Sequence, residues 1–283
     1  EERLRYRLIM ALLQTARDFS SVRHAKVVVA IRRDLVERVF RLTRDAGFQE
    51  EKYQSLYLPL TWDKAAILEV LDRRIARLVS RRYTKAVVTH RDLLPRTFRQ
   101  QPIHDYIYSI APRPRDVISF FNTCITAATN QSRLGAKELR LAEGEYSRGR
   151  LRALGDEWSA DYPTLLDFAK LLQRRSPSFK LGTIGRSEVE DLCLTIAASA
   201  PGALGMLGGA FQVADGTADP TLFKFTLFRA FYQVGLVGLK LAPHESESWA
   251  DETGRSVSFA EISDETSAVI HPAFRRTLGI GES

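Results

Sequence analysis

Trp62–Arg82 reads WDKAAILEVLDRRIARLVSRR, and its period decides the fold class. Ala66, Ile67, Val70, Leu71, Ile75, Leu78 and Val79 recur every three or four residues, which lays one apolar face along a helix over 63–82. Arg73, Arg74, Arg77, Arg81 and Arg82 fill the remaining surface. Helical patterns continue downstream: a short one at Ile103–Tyr108, one over 114–129 opened by Pro114, and one over 136–155 with Leu139, Leu141, Leu151 and Leu154.

Upstream the pattern is mixed. Leu4, Leu8, Ile9, Leu12, Leu13 and Ala16 predict a helix over 2–19. Lys26–Ile31 is a continuous β-branched run, as expected of a strand buried on both faces. Asp34 is placed to cap a helix that runs to Asp45 and closes at Gly47, and Tyr53–Leu60 alternates like a second strand. Residues 1–60 therefore read as the end of an α/β sheet.

The last third carries helical patterns over 163–174, 187–199 and 220–235, with the glycine-rich stretch up to Phe211 read as a helix end and loop. Gly235–Lys240 then predicts a helix stop and a strand, followed by a polar loop over 243–255, a strand over 256–260 and an apolar stretch at Ala268–His271. Three helices followed by a hairpin is the order of a winged helix. The expected fold is mostly α with minor β, divided at 1–60, 61–155 and 156–283.

The 283 residues carry 41 Lys and Arg against 34 Asp and Glu, a net charge of +7. That charge is unevenly spread. Residues 1–150 hold 29 basic and 17 acidic side chains, whereas residues 151–283 hold 12 and 17. Hydrophobic content of 45% excludes wholesale disorder, and two separated cysteines exclude a disulfide scaffold. No run is long and apolar enough for a membrane helix, so no membrane partner is expected. Few cysteines and no export signal predict a cytoplasmic protein. Glu1 stands inside a helical pattern, which predicts a piece of a longer chain.

Chemistry is sparse. No G-x-x-x-x-G-K-[ST] loop occurs, no strand ends in paired acids, and His24, His90, His104, His244, His271, Cys124 and Cys193 lack metal-ligand spacing. No catalytic residue and no metal ligand is therefore assigned, and Cys124 is read as core. Two arginine groups remain. Arg32 and Arg33 follow the expected buried strand, where open α/β sheets place ligand-contacting groups, and Arg115 lies in Arg113-Pro-Arg115-Asp116 at a helix start. Guanidinium groups at both places suit a polyphosphate. Equally, they are solvated side chains pairing with Asp34 and Asp116.

Lys26–Asp34 (KVVVAIRRD), Leu58–Ile75 (LPLTWDKAAILEVLDRRI) and Arg113–Asn122 (RPRDVISFFN) resemble consecutive segments of STAND-like P-loop ATPases, the AAA-related signalling ATPases of bacteria. The resemblance implies a sensor 1 strand at 26–34, entry to a helical lid at 58–75, and a sensor 2 region at 113–122. The later segments Glu145–Ser147, Asp156–Trp158 and His271-Pro272 fit the winged-helix domain that follows such a lid. It implies nucleotide-sensing roles for Arg32, Arg33 and Arg115, and Walker segments upstream of Glu1. ATP and magnesium are then implied only for the longer parent, and no cofactor for this chain.

Three functions follow as expectations. The first is a regulatory piece of a P-loop ATPase, partnered by an upstream ATPase segment or another subunit. The second is a nucleic-acid-binding module. Its contacts would come from residues 1–150 through Arg73, Arg74, Arg77, Arg81 and Arg82, because the third helix at 220–235 has only Lys224 and Arg229. The third is a protein-interaction module in which the acidic part docks on a basic lid.

Overall fold

Helices build both parts of this chain. The computed structural model describes residues 2–43, 50–83, 85–131, 134–199, 205–250 and 255–281, without the side chains at 2, 3, 34, 37, 41 and 82. The chain divides into the units Glu1–Thr61 and Trp62–Ser283.

In the first unit α1 (Glu2–Asp18) and α2 (Arg33–Thr43) pack around Tyr6, Met10, Val36, Val39 and Phe40, and the short α3 (Glu51–Gln54) adds Tyr53. Phe40 and Tyr53 meet at 5.3 Å between ring centroids, and the Tyr6 hydroxyl accepts from Arg38 Nη1 at 3.2 Å. The expected strand at Lys26–Ile31 does not form. Residues 25–32 lie outside any regular element, and Val28 is 85% exposed. A ladder needs a neighbour, and among the described residues of this unit there is no strand to provide one. The second expected strand, Tyr53–Leu60, is corrected likewise: Tyr53 turns into the core within α3, and Leu58 and Leu60 are exposed. α2 begins at Arg33, so Asp34 falls in its first turn rather than before it, and its side chain and the stop at Gly47 lie outside the described residues.

The second unit opens with α4 (Lys64–Arg82), whose first turn is closed by Asp63 accepting the Ala66 N–H at 2.7 Å. α5 (His90–Leu93) follows, then a hairpin of β1 (Thr97–Phe98) and β2 (Gln101–Pro102). The helices α6 (Ile103–Ile110), α7 (Pro114–Ala127) and α8 (Ala136–Glu157) complete a helical layer. Its core joins Ile67, Leu71 and Ile75 of α4 to Tyr106, Phe120 and Tyr146. Phe98, Tyr106, Phe120 and Tyr146 stack edge to face at 4.8, 6.1 and 5.4 Å between successive rings.

A second core lies beyond it. The helix expected over 163–174 is broken into α9 (Leu165–Phe168) and a 3-10 turn at Ala169–Leu172, whose tighter pitch turns both Leu171 and Leu172 inward. Then come β3 (Ser178–Lys180), α10 (Arg186–Ser199), α11 (Met206–Ala214), α12 (Pro220–Gln233), β4 (Val237–Lys240), β5 (Ser267–Ile270) and α13 (Pro272–Arg275). The antiparallel sheet runs in the order β3-β5-β4, with Ser178 opposite Val269 and Val237 opposite Ile270. β3 has no counterpart in the sequence pattern. The strand expected over 256–260 is absent; a 3-10 turn at Phe259–Glu261 stands there, closed by Glu261 accepting the Ser258 N–H at 2.7 Å. The glycine-rich stretch is also corrected, since its later part forms α11. Gly209 sits inside that helix because a Cβ there would meet the Phe223 ring at 2.6 Å.

α8 belongs to both cores. Leu139, Ala142 and Tyr146 enter the first, and Leu154 enters the second. α13 makes the same division in reverse, sending Ala273 to the first core and Phe274 to the second. Ser147 Oγ on α8 accepts the Thr277 N–H at 3.1 Å, fixing the chain beyond α13 to the long helix.

Gly238, inside β4, has the Trp249 ring pressed against it, so that a Cβ would lie 2.7 Å from Cε2. Gly238→Ala should therefore destabilise the fold by about 1–3 kcal/mol in chemical denaturation. Gly155→Ala meets only the half-exposed, rotatable Leu166 side chain. A Cβ there would lie 2.7 Å from Cδ1 and 2.8 Å from Cγ, so Leu166 must shift outward; with the helix preference of alanine set against this, the change should stay within about 1 kcal/mol of the parent.

Candidate functional site

α4 presents two polar surfaces. Beside its first half lies an open cleft of about 750 Å³, lined by Lys64, Glu69, Asp72, Arg73, His90 and Arg91 among others. Most of its charges are already matched. Lys64 Nζ donates to Asp105 at 2.6 Å, which holds that carboxyl below its ordinary range, and Arg73 pairs with Glu69 at 2.6 Å. Asp72 Oδ1 accepts the His90 backbone N–H at 2.7 Å and lies 2.8 Å from Nδ1. The carboxylate assigns the proton to Nδ1. Nε2 is enclosed and has no hydrogen-bond partner among the described residues. An enclosed nitrogen cannot reach a substrate proton, so this pair clamps α5 onto α4 rather than forming a general base.

The other surface of α4 is the arginine face. Arg74, Arg77 and Arg81 are exposed, and no acidic side chain among the described residues lies within ion-pair distance of them. Arg73 differs, being held by Glu69. The Arg82 side chain lies outside the described residues. The face is therefore a basic stripe of three arginines, bordered by the half-exposed apolar side chains Leu78 and Ile125.

Arg115 is exposed on the first turn of α7, where Pro114 fixes the entry. The next residue, Asp116, is buried and faces Arg150 Nη2 of α8 at 3.8 Å. Two turns away along α8, Glu143 accepts from Arg99 Nη2 at 2.6 Å. Burial, and then the neighbouring Glu143 carboxylate, raises the Tyr106 hydroxyl pKa; burial followed by Asp116 does the same for Tyr146. Both phenols stay protonated. Arg99 and Gln100 form the hairpin turn with φ of 48° and 60°, a left-handed geometry that glycine usually supplies. That turn directs the Arg99 guanidinium to Glu143.

Arg32 and Arg33 are exposed at the entry to α2 and lie in the first unit, while Arg115 lies in the second. Each is thus placed within its own unit. Sequence reasoning missed Lys224. Read as one of two cations on a helix that could face nucleic acid, it is only 3% exposed. Its Nζ donates to Leu181 O at 3.1 Å, Ile184 O at 3.2 Å and Asp264 Oδ1 at 2.7 Å. A polar residue flanked by Phe223, Leu227 and Phe228 on α12 was the available signal. Arg229 alone remains exposed of that pair. Burial pushes the thiols of Cys124 and Cys193 up to about 12, so both are protonated core side chains. Among the described residues no cluster of three or more His, Cys, Asp or Glu could hold a metal, and no helix is long and apolar enough to cross a membrane.

Residues 65–155 match the model of the FunZ-associated C-terminal helical domain, FunZ_C. The match covers the helical layer from α4 to α8. No curated protein and no solved structure matches the chain. None of these comparisons carries a P-loop ATPase, a STAND protein or a winged helix.

Lys224→Met removes the donor from two enclosed carbonyls and should cost about 1–3 kcal/mol in urea unfolding. Arg229→Ala, on the exposed side of the same helix, should stay within about 0.5 kcal/mol of the parent.

Proposed function

We propose that the chain is a regulatory, non-catalytic part of a P-loop ATPase, in which residues 62–283 respond to nucleotide as one body. The observation that carries this reading is the sharing of α8 and α13 between two hydrophobic cores. A push on the helical layer has no compliant joint at residues 155–156 in which to dissipate, so it reaches the C-terminal sheet. Support also comes from the ordered likeness of 58–75 and 113–122 to the lid entry and sensor 2, whereas the segment likened to sensor 1 at 26–34 forms no strand.

In this reading Arg32 or Arg33 meets the γ-phosphate, and Arg115 reports the same charge to the lid. Arg115 suits the role because it stands at the start of a fourteen-residue helix whose positive end favours an anion. Its neighbour Asp116 faces Arg150, which links that helix start to α8. ATP and magnesium would be held by the parent's Walker segments. The arginines of this chain would supply differential contacts that shift its population between two states.

The C-terminal part is read as a winged helix used for protein contact. Its strand order β3-β5-β4, with three helices between β3 and β4, supports that topology. The burial of Lys224 leaves α12 poor in the cations a DNA-reading helix requires.

In the full-length gene product Arg115→Ala should slow ATP turnover about tenfold or more while leaving the melting temperature unchanged, since the side chain is exposed. Turnover and nucleotide affinity equal to the parent would refute the role. A full-length product with no ATP turnover would refute the ATPase reading itself.

A further inference from the structure

Arg74, Leu78 and Arg81 occupy positions i, i+4 and i+7 of α4 and so form one stripe. Leu78 is 47% exposed, and Ile125 across the groove on α7 is 43% exposed. Between them lies a notch floored by Ile75 and Phe121. The unpaired Arg74 therefore lines an apolar slot, and the unpaired Arg81 stands one turn beyond Leu78 on the same stripe. Nucleic acid would use the charges and leave the slot empty; an acidic helix with one protruding apolar side chain would use both.

The same chain presents such a helix. On α10, Asp191, Leu194 and Ala198 follow at i, i+3 and i+7, all exposed, with Leu194 at 50%. The other acids of this helix are engaged, Glu188 with Arg175 and Glu190 with Arg186. Asp191 has no basic partner among the described residues. The halves that carry these two surfaces are basic and acidic respectively. We propose that the α4–α7 groove of one copy receives α10 of a second copy, with Leu194 in the notch beside Leu78 and Ile125 and Asp191 against Arg74 or Arg81.

The contact joins unlike surfaces, so it is heterologous, and a pair retains a free helix on one copy and a free groove on the other. Its ion pairs lie at a solvated rim, which makes association weak and dependent on salt.

Sedimentation of the full chain at about 50 mM and about 500 mM salt tests the proposal. Self-association is expected at low salt and should weaken at high salt. Arg74→Glu with Arg81→Glu should weaken it about tenfold or more, and so should Asp191→Arg alone. Circular dichroism should show all variants folded, because each altered side chain is exposed. Mixing the two variant proteins should restore association, since the unaltered α10 of the first meets the unaltered groove of the second, and the acidified groove meets an arginine on α10. A parent that is monomeric at both salts, variants that associate like the parent, or no recovery on mixing would each overturn the proposal. Duplex DNA or anionic vesicles bound by the parent, and lost with Arg74→Glu and Arg81→Glu while self-association persists, would reassign the face and overturn it as well.

Discussion

One helix buried in two places sets the terms for residues 62–283. α8 spans 22 residues, about 33 Å at the usual rise. Its first half lies in the core with α4, α6 and α7, and its last turns lie in the core with α9–α12. α13 returns from the sheet and packs against it, and the Ser147–Thr277 hydrogen bond closes that return. Neither core can relax independently, because each takes part of its lining from the same rod. The buried ion pairs follow from this arrangement: Glu143 and Arg150 on α8 sit opposite Arg99 and Asp116. The left-handed turn at Arg99 and Gln100 is tolerated because it delivers a guanidinium to a carboxylate that would otherwise be enclosed alone.

The polar groups of this unit divide by exposure rather than by residue type. Lys224 and Arg99 are cations that hold the fold, fully or largely withdrawn from solvent. Arg74, Arg77 and Arg81 are cations that the fold does not require, since no carboxylate among the described residues answers them. Charge without a structural use is the better guide to a surface that meets something else. By that measure the arginine face of α4 outranks the wider cleft beside it, where Lys64, Arg73 and His90 are already engaged with Asp105, Glu69 and Asp72.

Much of the helical layer was legible because each helix buries a single stripe. α4, α6 and α7 keep a period near 3.6, and proline or Asp63 marks where they begin. α8 was legible as a helix and not as a bridge. Its inward residues shift from Leu139, Ala142 and Tyr146 to Leu154, and Leu141, counted as apolar face, is exposed. The small residues Ala142, Gly144 and Ser147, where α13 packs closely, carry little hydrophobic signal. Local pattern failed in the first unit for a different reason. Lys26–Ile31 has the composition of a buried strand, but strand formation depends on a partner that composition cannot supply. β3 escaped notice because three residues are too few to show alternation. For the candidate surface, the sequence located the arginines. It could not separate Arg73, which is paired, from Arg74 and Arg81, nor show that Leu78 stays open to solvent.

The uncovered run at Lys26–Ile31 carries a hazard of its own. KVVVAI is short, β-branched, free of proline and glycine, and pairs with no strand among the described residues of its unit. Segments of that kind seed cross-β stacking when they meet their own copies. Lys26 precedes the run and Arg32 with Arg33 follows it, so positive charge stands at both ends. Stacked in register, every chain would bring three like charges over those of the next. Arg32 and Arg33, proposed above to meet nucleotide, thus also stand where charges oppose such stacking, whether or not nucleotide is bound.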